Sequence, residues 1–479
     1  MDTKAQMRDS TTQRSTVESA TQLLERVRTK SDRLSVGENG QLVVDGAAVT
    51  DIIETFGSPC YVVCEDTLRA NYRRIRDAFE QAWPKQVSIL FAIKANNNLA
   101  IRRILYQEGA GTDCFGEAEM YATFLAGSDP RKTALNGSNK SDEEVRRAVQ
   151  LGVTINIDSE EEIEQVSRAA RELGCIAPVS LRLKVVPEDL KDHESDYFGV
   201  AGEPLFQVVA REKWGFSVPA AAELVKRIKD TQNLELRGYH LHISRISRDP
   251  NLFRFFAASF VDAIARLRDE TGFEPTIIDI GGGWSRTRDP ESRNASLNPW
   301  SIEDYADAVC ESLILGFEQN ALPLPELWLE PGRYIVGNAE ILLTTVGAIK
   351  HDLERTWVNV DASTNNLMRI DTSGSSYYIL PATKMDVSFT DEALIVGPTC
   401  VQSILSPGQP IPVLERGDVL AILDTGMYAE TVSTQFNGTP RPATVLVHDG
   451  KAELIKERES IADVFAKHRI PERLLISQA

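Results

Sequence analysis

Long apolar runs and clusters of basic residues are both missing from this chain of 479 residues. No segment reaches the roughly 18 uninterrupted apolar residues that a membrane span needs, and the polar amino terminus does not resemble a signal peptide. The net charge of -18 disfavours nucleic acid and anionic membranes as partners. The sequence therefore predicts a soluble, unsecreted, cytoplasmic protein that binds neither.

Cysteine is also sparse, with 6 scattered residues. The one close pair, Cys60 and Cys64, has a spacing that matches no common zinc or redox motif, so reduced thiols are the simplest interpretation. A composition of 42% apolar and 25% charged residues is typical of a globular protein. The length allows two domains with separate cores.

The amino-terminal part, residues 1–35, is interpreted as an extension. Its first 14 or so residues are polar and predicted to be disordered. The segment Ser15-Thr16-Val17-Glu18 then has the pattern of a capping box for a short helix. One face of that helix would carry Val17, Ala20, Leu24 and Val27.

From about residue 60, short apolar runs end in Gly, Asn, Asp or charged residues, and most are followed by helical periodicity. This alternation is the βα pattern of a parallel sheet. Two of the intervening helices begin with serine N-cap signatures, at Ser141 and Ser159. There are eight strand candidates, the number that closes a (β/α)8 TIM barrel, predicted over residues 61–325: SILFAIK, GTDCF, KTALNG, VTINID, VSLRLKV, RGYHLHI, TIIDIGGG and LWLEPGR.

The remainder, residues 326–479, consists of β-branched runs separated by turn residues, as in ILLTTVGAIK and DVLAILDTG. This texture predicts a second, antiparallel β domain, either a barrel or a sandwich. Residues 36–60 have the same character, as does PCYVVCE, which begins at residue 59, and we expect residues 36–60 to join this domain. The overall fold class is therefore α/β.

Polar residues finish several of the predicted barrel strands, at the end where such barrels build their active sites. The sixth strand places His240 and His242 on one face, because side chains alternate along a strand. The rim candidates are Lys94, Asp113, Asn136, Gly137, Asp158, His240, His242, Gly281, Gly282, Gly283, Glu330 and Arg333.

Three of these features together indicate a cofactor, although each alone has an ordinary structural explanation. Glycines 281–283 follow the seventh strand, where backbone N–H groups can approach a phosphate. Lys94 would face other barrel residues, and we expect desolvation and neighbouring cations to depress its pKa and free its amine for Schiff-base chemistry. Glu330 would supply an acid for a ring nitrogen. These are the three binding groups that pyridoxal phosphate requires.

The His-x-His pattern of His240 and His242 also occurs in zinc sites. No suitably grouped third ligand is evident, so no metal is expected. A histidine at the barrel mouth is better placed to lie flat on a cofactor ring. The other histidines of the chain are His193, His351, His448 and His468.

These motifs resemble those of the fold-type III, alanine-racemase-like, pyridoxal-phosphate-dependent decarboxylases. Within that family the chain is most similar to the diaminopimelate decarboxylase branch, beside the ornithine and arginine decarboxylases. The resemblance extends from about residue 40 to 450. It is carried by FAIKANNN, GTDCFGEAEMYATFLAG, GSNKSDEE, INIDSEEE, KWGF, HLHIS, IDIGGGW, EPGRYIVG, GPTC and GDVLAILDTGMY.

The resemblance implies roles for most of the rim residues and for several in the second domain. The implied catalytic residues are Lys94, which would bind the cofactor covalently, His242 and Cys400. The implied cofactor contacts are Lys94, Asp113, His242 stacked on the ring, Gly281, Gly282, Gly283 and Tyr428 on the phosphate, Glu330 on the ring nitrogen, and Arg333 on phosphate or a substrate carboxylate. Family members are homodimers, so Cys400 would enter the neighbouring subunit's site.

The chain departs from the family pattern at three positions. The family's His-Ile-Gly-Ser is replaced by His242-Ile243-Ser244-Arg245, so Arg245 is a candidate to replace the usual phosphate-side serine. The acid that follows the cysteine in amine-forming members is replaced by Val401, which cannot pair with a distal ammonium group. Arg369 matches an arginine that holds a distal carboxylate, but the family's tyrosine four positions later is Ser373, and Tyr377 or Tyr378 would have to compensate.

The sequence therefore predicts a decarboxylase for an amino acid or amino-acid adduct, within primary or specialised biosynthesis. Its substrate would carry an anionic or neutral distal group, bound by Arg333, Arg369, Tyr377, Tyr378, Val401 and Tyr428. Diaminopimelate itself stays open. Two alternatives also stay open: an amino-acid racemase with the same cofactor, and a non-catalytic homologue that binds it.

Overall fold

The computed structural model of the protein describes residues 19–194, 202–242, 248–290 and 297–475. The expected disordered start, the Ser15–Glu18 capping box and Arg245 lie outside these residues. No described helix is long and apolar enough to cross a membrane.

The strands form three sheets. A small amino-terminal sheet contains β1 (Leu34–Val36), β2 (Leu42–Val44) and β3 (Ala47–Ala48). The next strand, β4 (Cys60–Cys64), belongs to the large second sheet. The barrel strands are β5 (Val87–Ala92), β6 (Gly111–Phe115), β7 (Thr133–Asn136), β8 (Thr154–Ile157), β9 (Ala177–Arg182), β10 (Leu234–His240), β11 (Ile277–Asp279) and β12 (Glu326–Leu329). The second sheet continues with β13 (Glu340–Asp352), β14 (Arg355–Val360), β15 (Ile379–Pro381), β16 (Asp391–Val396), β17 (Ile404–Ile411), β18 (Val419–Ile422), β19 (Ala443–His448) and β20 (Lys451–Lys456).

The helices follow the strands in the expected alternation through the barrel. In chain order they are α1 (Ala20–Val27), α2 (Val49–Phe56), α3 (Glu65–Ala82), α4 (Leu99–Gln107), α5 (Gly116–Leu125), α6 (Asp142–Leu151), α7 (Glu160–Leu173), α8 (Leu205–Ala210), α9 (Val218–Lys229), α10 (Pro250–Thr271), α11 (Ile302–Gln319), α12 (Arg333–Val336), α13 (Arg369–Ser373) and α14 (Ile461–Phe465).

The predicted TIM barrel is confirmed, and each of the eight candidate runs overlaps one barrel strand. Parallel pairing runs from β5 through β12, and β12 closes the barrel by pairing Leu327 with Val87. The strands read as continuous apolar runs because both faces are buried, one in the barrel interior and the other under helices. Their carboxyl ends meet at one mouth, which positions the polar residues that follow them.

Helix starts were predicted with mixed success. Ser141 caps α6 with a complete capping box to Glu144. Ser159 precedes α7 but makes no side-chain cap bond. Helix α1 begins at Ala20, where Ser19 accepts a hydrogen bond from the backbone of Gln22. The helix buries the expected apolar face of Ala20, Leu24 and Val27.

The second domain is a mixed sheet, not a purely antiparallel one. Most pairings are antiparallel, but β14 pairs parallel with β16, and β4 pairs parallel with β19. Strand β4 also pairs with β13, so the predicted barrel start at residue 61 falls within a central strand of this sheet. Conversely, β12 extends the barrel to Leu329, beyond the predicted boundary at 325. The sequence pattern could not separate these strands because both sheets bury β-branched residues.

Candidate active site

Lys94 reaches the barrel mouth from the end of β5. The strand is buried from Ser88 to Ala92, and a short 3-10 turn, Ile93–Ala95, then carries the lysine. Its Nζ atom donates to Oδ2 of Asp113 on β6 at 2.5 Å and lies 4.7 Å from the centre of the Phe115 ring. The Lys94 side chain is 32% exposed, whereas that of Asp113 is 0% exposed. The amine is therefore accessible from the mouth, while its acidic partner is not.

The expected depression of the Lys94 pKa is wrong. Burial by itself would lower this pKa, but the charges of Asp113 and Glu330 outweigh burial and raise the pKa above its ordinary value. These carboxylates come from β6 and from the end of β12, so nothing in the segment around Lys94 indicates them. The amine is a cation at neutral pH.

The amide of Asn136, at the end of β7, joins the two acids that flank the amine. Its Nδ2 atom donates to Oδ1 of Asp113 at 2.8 Å and to Oε1 of Glu330 at 2.6 Å. Its Oδ1 atom accepts a hydrogen bond from Nδ2 of Asn156 on β8 at 2.9 Å. Because that bond fixes the orientation of the amide, both of its N–H groups point at carboxylates.

Glu330 follows β12 and is buried beside two histidines. Its Oε2 atom lies 3.5 Å from Nε2 of His240 and 3.6 Å from Nδ1 of His242. Burial opposes the ionisation of Glu330, but His240, His242 and Lys94 outweigh burial and hold its pKa well below the usual range. Burial is also the largest influence on His240 and lowers its pKa. Glu330 is therefore a carboxylate at neutral pH, with the amide of Asn136 and the amine of Lys94 as its constant partners.

The positions of Glu330, His240 and His242 change the interpretation of a possible metal site. The sequence offered no third ligand for His240 and His242, but the structure brings Glu330 to them, with one ligand atom of each residue within 4.8 Å of the others. The other oxygen of Glu330, Oε1, accepts a hydrogen bond from Asn136, and the charge of the same carboxylate acts on the Lys94 cation. A cation there would compete with that amine, so the arrangement favours an organic cofactor.

Glycines 281–283 follow β11, and Gly281 and Gly282 pack against these residues without space for side chains. A Cβ atom on Gly281 would lie 2.5 Å from Nδ1 of His242, and one on Gly282 would lie 2.3 Å from the carbonyl oxygen of Glu330. Gly281 and Gly283 have φ angles of 69° and 101°, which favour glycine. The Gly281 N–H donates to Asp279 Oδ1 at 2.8 Å, and the Gly282 N–H donates to His242 Nδ1 at 3.3 Å. Two of the three expected anion donors thus already have acceptors.

Tyr428 comes from the second domain and completes the mouth. Its backbone N–H donates to the carbonyl oxygen of Ala95 at 2.8 Å, which fixes it beside Lys94. The guanidinium carbons of Arg333 and Arg369 lie 5.7 and 5.1 Å from the centre of its ring. Two cations therefore flank one aromatic ring next to the lysine.

Comparison with known proteins identifies the family. The family described as "Pyridoxal-dependent decarboxylase, pyridoxal binding domain" matches residues 65–337. The chain belongs to the pyridoxal-dependent decarboxylases. It is 33% identical to a diaminopimelate decarboxylase of Methanothermobacter thermautotrophicus, over 92% of this chain and 99% of that protein. It is 34% identical to the Archaeoglobus fulgidus diaminopimelate decarboxylase, over 91% of this chain and 99% of that one.

A solved structure shows the same architecture. The diaminopimelate decarboxylase of M. jannaschii, crystallised with L-lysine, superposes with a TM-score of 0.84 at 28% identity, over 93% of this chain and 99% of that chain. The decarboxylase described here is therefore a carboxy-lyase that uses pyridoxal phosphate and acts on an amino acid, as the sequence predicted.

The residues at the mouth of this decarboxylase fit pyridoxal phosphate. An accessible amine on Lys94 stands near a buried carboxylate on Glu330, and His242 lies between that carboxylate and the glycines. The absence of Cβ atoms at Gly281 and Gly282 keeps the backbone close to the histidine. Arg333 and the ring of Tyr428 supply a cation and a hydroxyl for an anionic group. The donor set therefore matches a ring that carries an aldehyde, a basic nitrogen and a phosphate.

The two tyrosines expected to compensate for Ser373 differ in their surroundings. Tyr377 is buried, and its pKa is raised by burial, with the charge of Arg369 as the main opposing influence. Tyr378 is half-buried, and its pKa is also raised by burial, opposed by Arg26 and Arg288. Tyr377 is therefore the tyrosine near Arg369, whereas Tyr378 faces the amino-terminal segment.

Cys400 and Val401 lie in the turn between β16 and β17, on the surface of the chain. The backbone N–H of Cys400 donates to Oδ1 of Asn437 at 3.0 Å, and Val401 is 45% exposed. Both side chains are available to a second subunit.

Sequence reasoning missed the polar residues that orient the predicted ones. Asn156 and Asp279 were not site candidates, although each lies at the same end of a barrel strand as the others. Asn136 and His240 were rim candidates without a role. The available signal was alternation along the strand, which points a polar residue near the end of an apolar run into the barrel.

Proposed function

We propose that this decarboxylase removes the α-carboxylate of an amino acid whose distal end is a carboxylate or is neutral. The observation that carries the proposal is the pair of guanidinium groups, Arg333 and Arg369, close to the ring of Tyr428, combined with valine at position 401. An arginine can form a bidentate pair with a carboxylate. Valine gives no partner to a distal ammonium group.

Lys94 is assigned to hold the cofactor covalently, and Asp113 to accept the proton that the Lys94 amine loses. The amine has to be neutral to react with an aldehyde, and Asp113 is 2.5 Å away, so it is placed to receive that proton. When bound, pyridoxal phosphate takes up the electron pair that is released as CO2 leaves. Glu330, kept as an anion, would hold the protonated ring nitrogen. Asn136 would keep Asp113 and Glu330 apart and oriented.

His242 is assigned to one face of the ring, and Gly281, Gly282, Gly283 and Tyr428 to the phosphate. Two of the glycine N–H groups already have acceptors. We therefore assign the glycines to the close approach of the backbone to the phosphate, and not to the supply of three free N–H donors. Arg333 would contact either the phosphate or the distal carboxylate.

Cys400 is assigned to the active site of a second subunit, so the active unit is a homodimer. Its exposure in a turn, together with that of Val401, supports this role. The thiol of Cys400 would return a proton to the carbon that has lost CO2, and Val401 would line the distal part of the pocket. Tyr377, close to Arg369, would help to orient that arginine.

The test is release of labelled CO2 from a panel of amino acids. The panel includes 2-aminopimelate and 2-aminoadipate with a distal carboxylate, diaminopimelate with a distal carboxylate and ammonium, norleucine with a neutral end, and lysine and ornithine with an ammonium alone. We expect the highest kcat/KM among the first four. Loss of optical activity without CO2 release would indicate a racemase, and preference for lysine or ornithine would contradict the pocket assignment.

A further inference from the structure

Arg288 is a buried arginine on the loop that follows the glycines, and all of its N–H groups have acceptors. Its Nε donates to Asp424 at 2.8 Å, and its Nη1 donates to Asp32 at 2.5 Å and to the carbonyl oxygen of Val27 at 2.9 Å. Its Nη2 donates to Asp32 and to Asp424 at 3.3 and 3.2 Å. One guanidinium thus donates two hydrogen bonds to each of two carboxylates.

Asp32 is ionised in spite of burial. Asp32 and Asp424 are 3% and 2% exposed. Burial opposes the charge of Asp32, but Arg288 and hydrogen bonds from Thr29 and Asn338 outweigh it and lower the pKa of Asp32. Asp424 also accepts a hydrogen bond from Nη1 of the buried Arg286 at 3.2 Å, so Asp32 depends on Arg288 more than Asp424 does. Loss of Asp32 leaves the buried guanidinium of Arg288 with only part of its compensating charge.

The three members come from three separate parts of the chain. Asp32 lies just after helix α1, in the amino-terminal extension. Arg288 lies five residues after Gly283, and Asp424 lies in the second domain, four residues before Tyr428. The amino-terminal extension therefore contacts the loop after the glycines directly and is joined to the Tyr428 turn through Arg288.

The segment from Asp424 to Tyr428 packs closely against the backbone of Val336 and Gly337. Asp424 has a φ angle of 63° and Tyr428 one of 52°, so the turn has a defined shape. Between them, the Gly426 N–H donates to the carbonyl oxygen of Gly337 at 3.0 Å, and a Cβ on Gly426 would lie 1.9 Å from the Val336 carbonyl oxygen. A shift of Asp424 would therefore move Tyr428 as well.

We propose that Arg288 is a positioning residue for the cofactor phosphate, and that Asp32 makes the amino-terminal extension part of the phosphate site. Arg288 holds the glycine loop and the Tyr428 turn at a fixed separation, and Asp32 supplies half of the charge that holds Arg288. This inference rests on the proposed phosphate contacts. It goes beyond them because neither Asp32 nor Arg288 would touch the cofactor.

The experiment compares the binding of pyridoxal phosphate and pyridoxal, which lacks the phosphate, to the cofactor-depleted full-length protein. The absorbance of the lysine-bound form gives the affinity of each. In Asp32→Asn we expect pyridoxal phosphate to bind at least about tenfold more weakly, with pyridoxal affinity unchanged within about twofold. The matched control is Glu108→Gln, which removes a carboxylate that joins Arg69 and Arg73 on helix α3 to the end of helix α4. It should change neither affinity.

Thr29→Val provides a milder variant if Asp32→Asn does not fold. It removes the 2.8 Å hydrogen bond from Thr29 Oγ1 to Asp32, together with the bonds of that hydroxyl to Ser31 and Asn338, and should show the same selective loss at smaller size. Equal weakening of both ligands, or of neither, would overturn the inference. Failure of the proposed function is distinguishable, because wild-type protein would then bind both ligands equally, or borohydride reduction would label a lysine other than Lys94.

Discussion

The Lys94 amine lies 2.5 Å from the Asp113 carboxylate, and only the acid is buried. This pair, with Glu330 nearby, keeps the amine protonated at neutral pH, whereas attachment of an aldehyde requires the neutral amine. The resting protein is thus held in the form that binds an anionic ligand electrostatically but has to lose a proton before it reacts.

We expect the rate of pyridoxal phosphate attachment to rise with pH, because deprotonation of Lys94 is opposed by Asp113. In Asp113→Asn the pKa of Lys94 should fall, and the rate profile should shift to lower pH. Absorbance after rapid mixing measures the rate. Asp129→Asn, which removes a half-buried carboxylate beside Arg131, is the control and should leave the profile unchanged. An unshifted profile in Asp113→Asn would show that Asp113 does not hold the proton.

The same pair predicts a pH dependence of stability. Because the folded pKa of Lys94 is raised, its contribution to the free energy of unfolding is complete below the ordinary lysine pKa and is lost as pH rises through the raised value. Cofactor-depleted protein should lose stability in the alkaline range, and Asp113→Asn should lose less there. Urea unfolding at several pH values measures both.

Removal of the Asn136 amide should disrupt the site without unfolding the barrel. Asn136→Ala deletes two hydrogen bonds to carboxylates, each worth about 1.5–3 kcal/mol, so kcat/KM should fall by about 100- to 10,000-fold. Labelled CO2 release measures the rate, and circular dichroism reports the fold. Asn359→Ala, at a half-buried position of β14 outside the barrel, is the matched control. Near wild-type activity in Asn136→Ala would mean that the amide only fills space.

Mixed dimers should recover activity if the sites are shared. Lys94→Ala and Cys400→Ala subunits are each expected to be inactive alone, but a hybrid dimer has one site with both residues intact. Random exchange makes half of the dimers hybrids, so about a quarter of wild-type activity should return. Mass spectrometry verifies exchange. Exchange without recovery would place Cys400 outside the neighbour's site.

Specificity at the distal end should respond to Val401. A distal ammonium without a partner loses hydration at a cost of several kcal/mol, of order 2–7 for a polar group. Val401→Glu should supply that partner and lower the KM for lysine and ornithine by about tenfold. Val413→Glu, at another exposed valine of the same domain, is the control. Equal effects of both variants would locate position 401 outside the pocket.

Arg369→Leu should act in the opposite direction. It should reduce kcat/KM for 2-aminopimelate far more than for norleucine, since a charge-assisted contact is worth about 1.5–3 kcal/mol. Arg416→Leu removes an exposed arginine of the second domain and controls for the loss of charge. A uniform loss on all substrates would mean that Arg369 supports Tyr428 and does not contact substrate.

The sequence correctly predicted those features of the fold that depend on one short segment. Each barrel strand is an apolar run that ends in a polar residue, so the runs, the mouth and Lys94 could all be located. It did not predict contacts between distant segments. The Lys94 pKa depends on Asp113 and Glu330, the third group near the two histidines is Glu330, and the parallel pairing in the second sheet joins β4 to β19. The triad around Arg288 likewise required three segments to be brought together.

The position of β4 early in the sequence has a consequence for the folding of the chain during its synthesis. This strand of five buried residues is made before the barrel, but its partners β13 and β19 are made after it. At about 5–20 residues per second, the ribosome takes roughly 20–75 s to go from β4 to β19. During that time the segment CYVVC is an unpaired apolar edge, open to association with other nascent chains. Newly made chains should therefore depend on a chaperone that shields this strand until the carboxyl-terminal half has emerged.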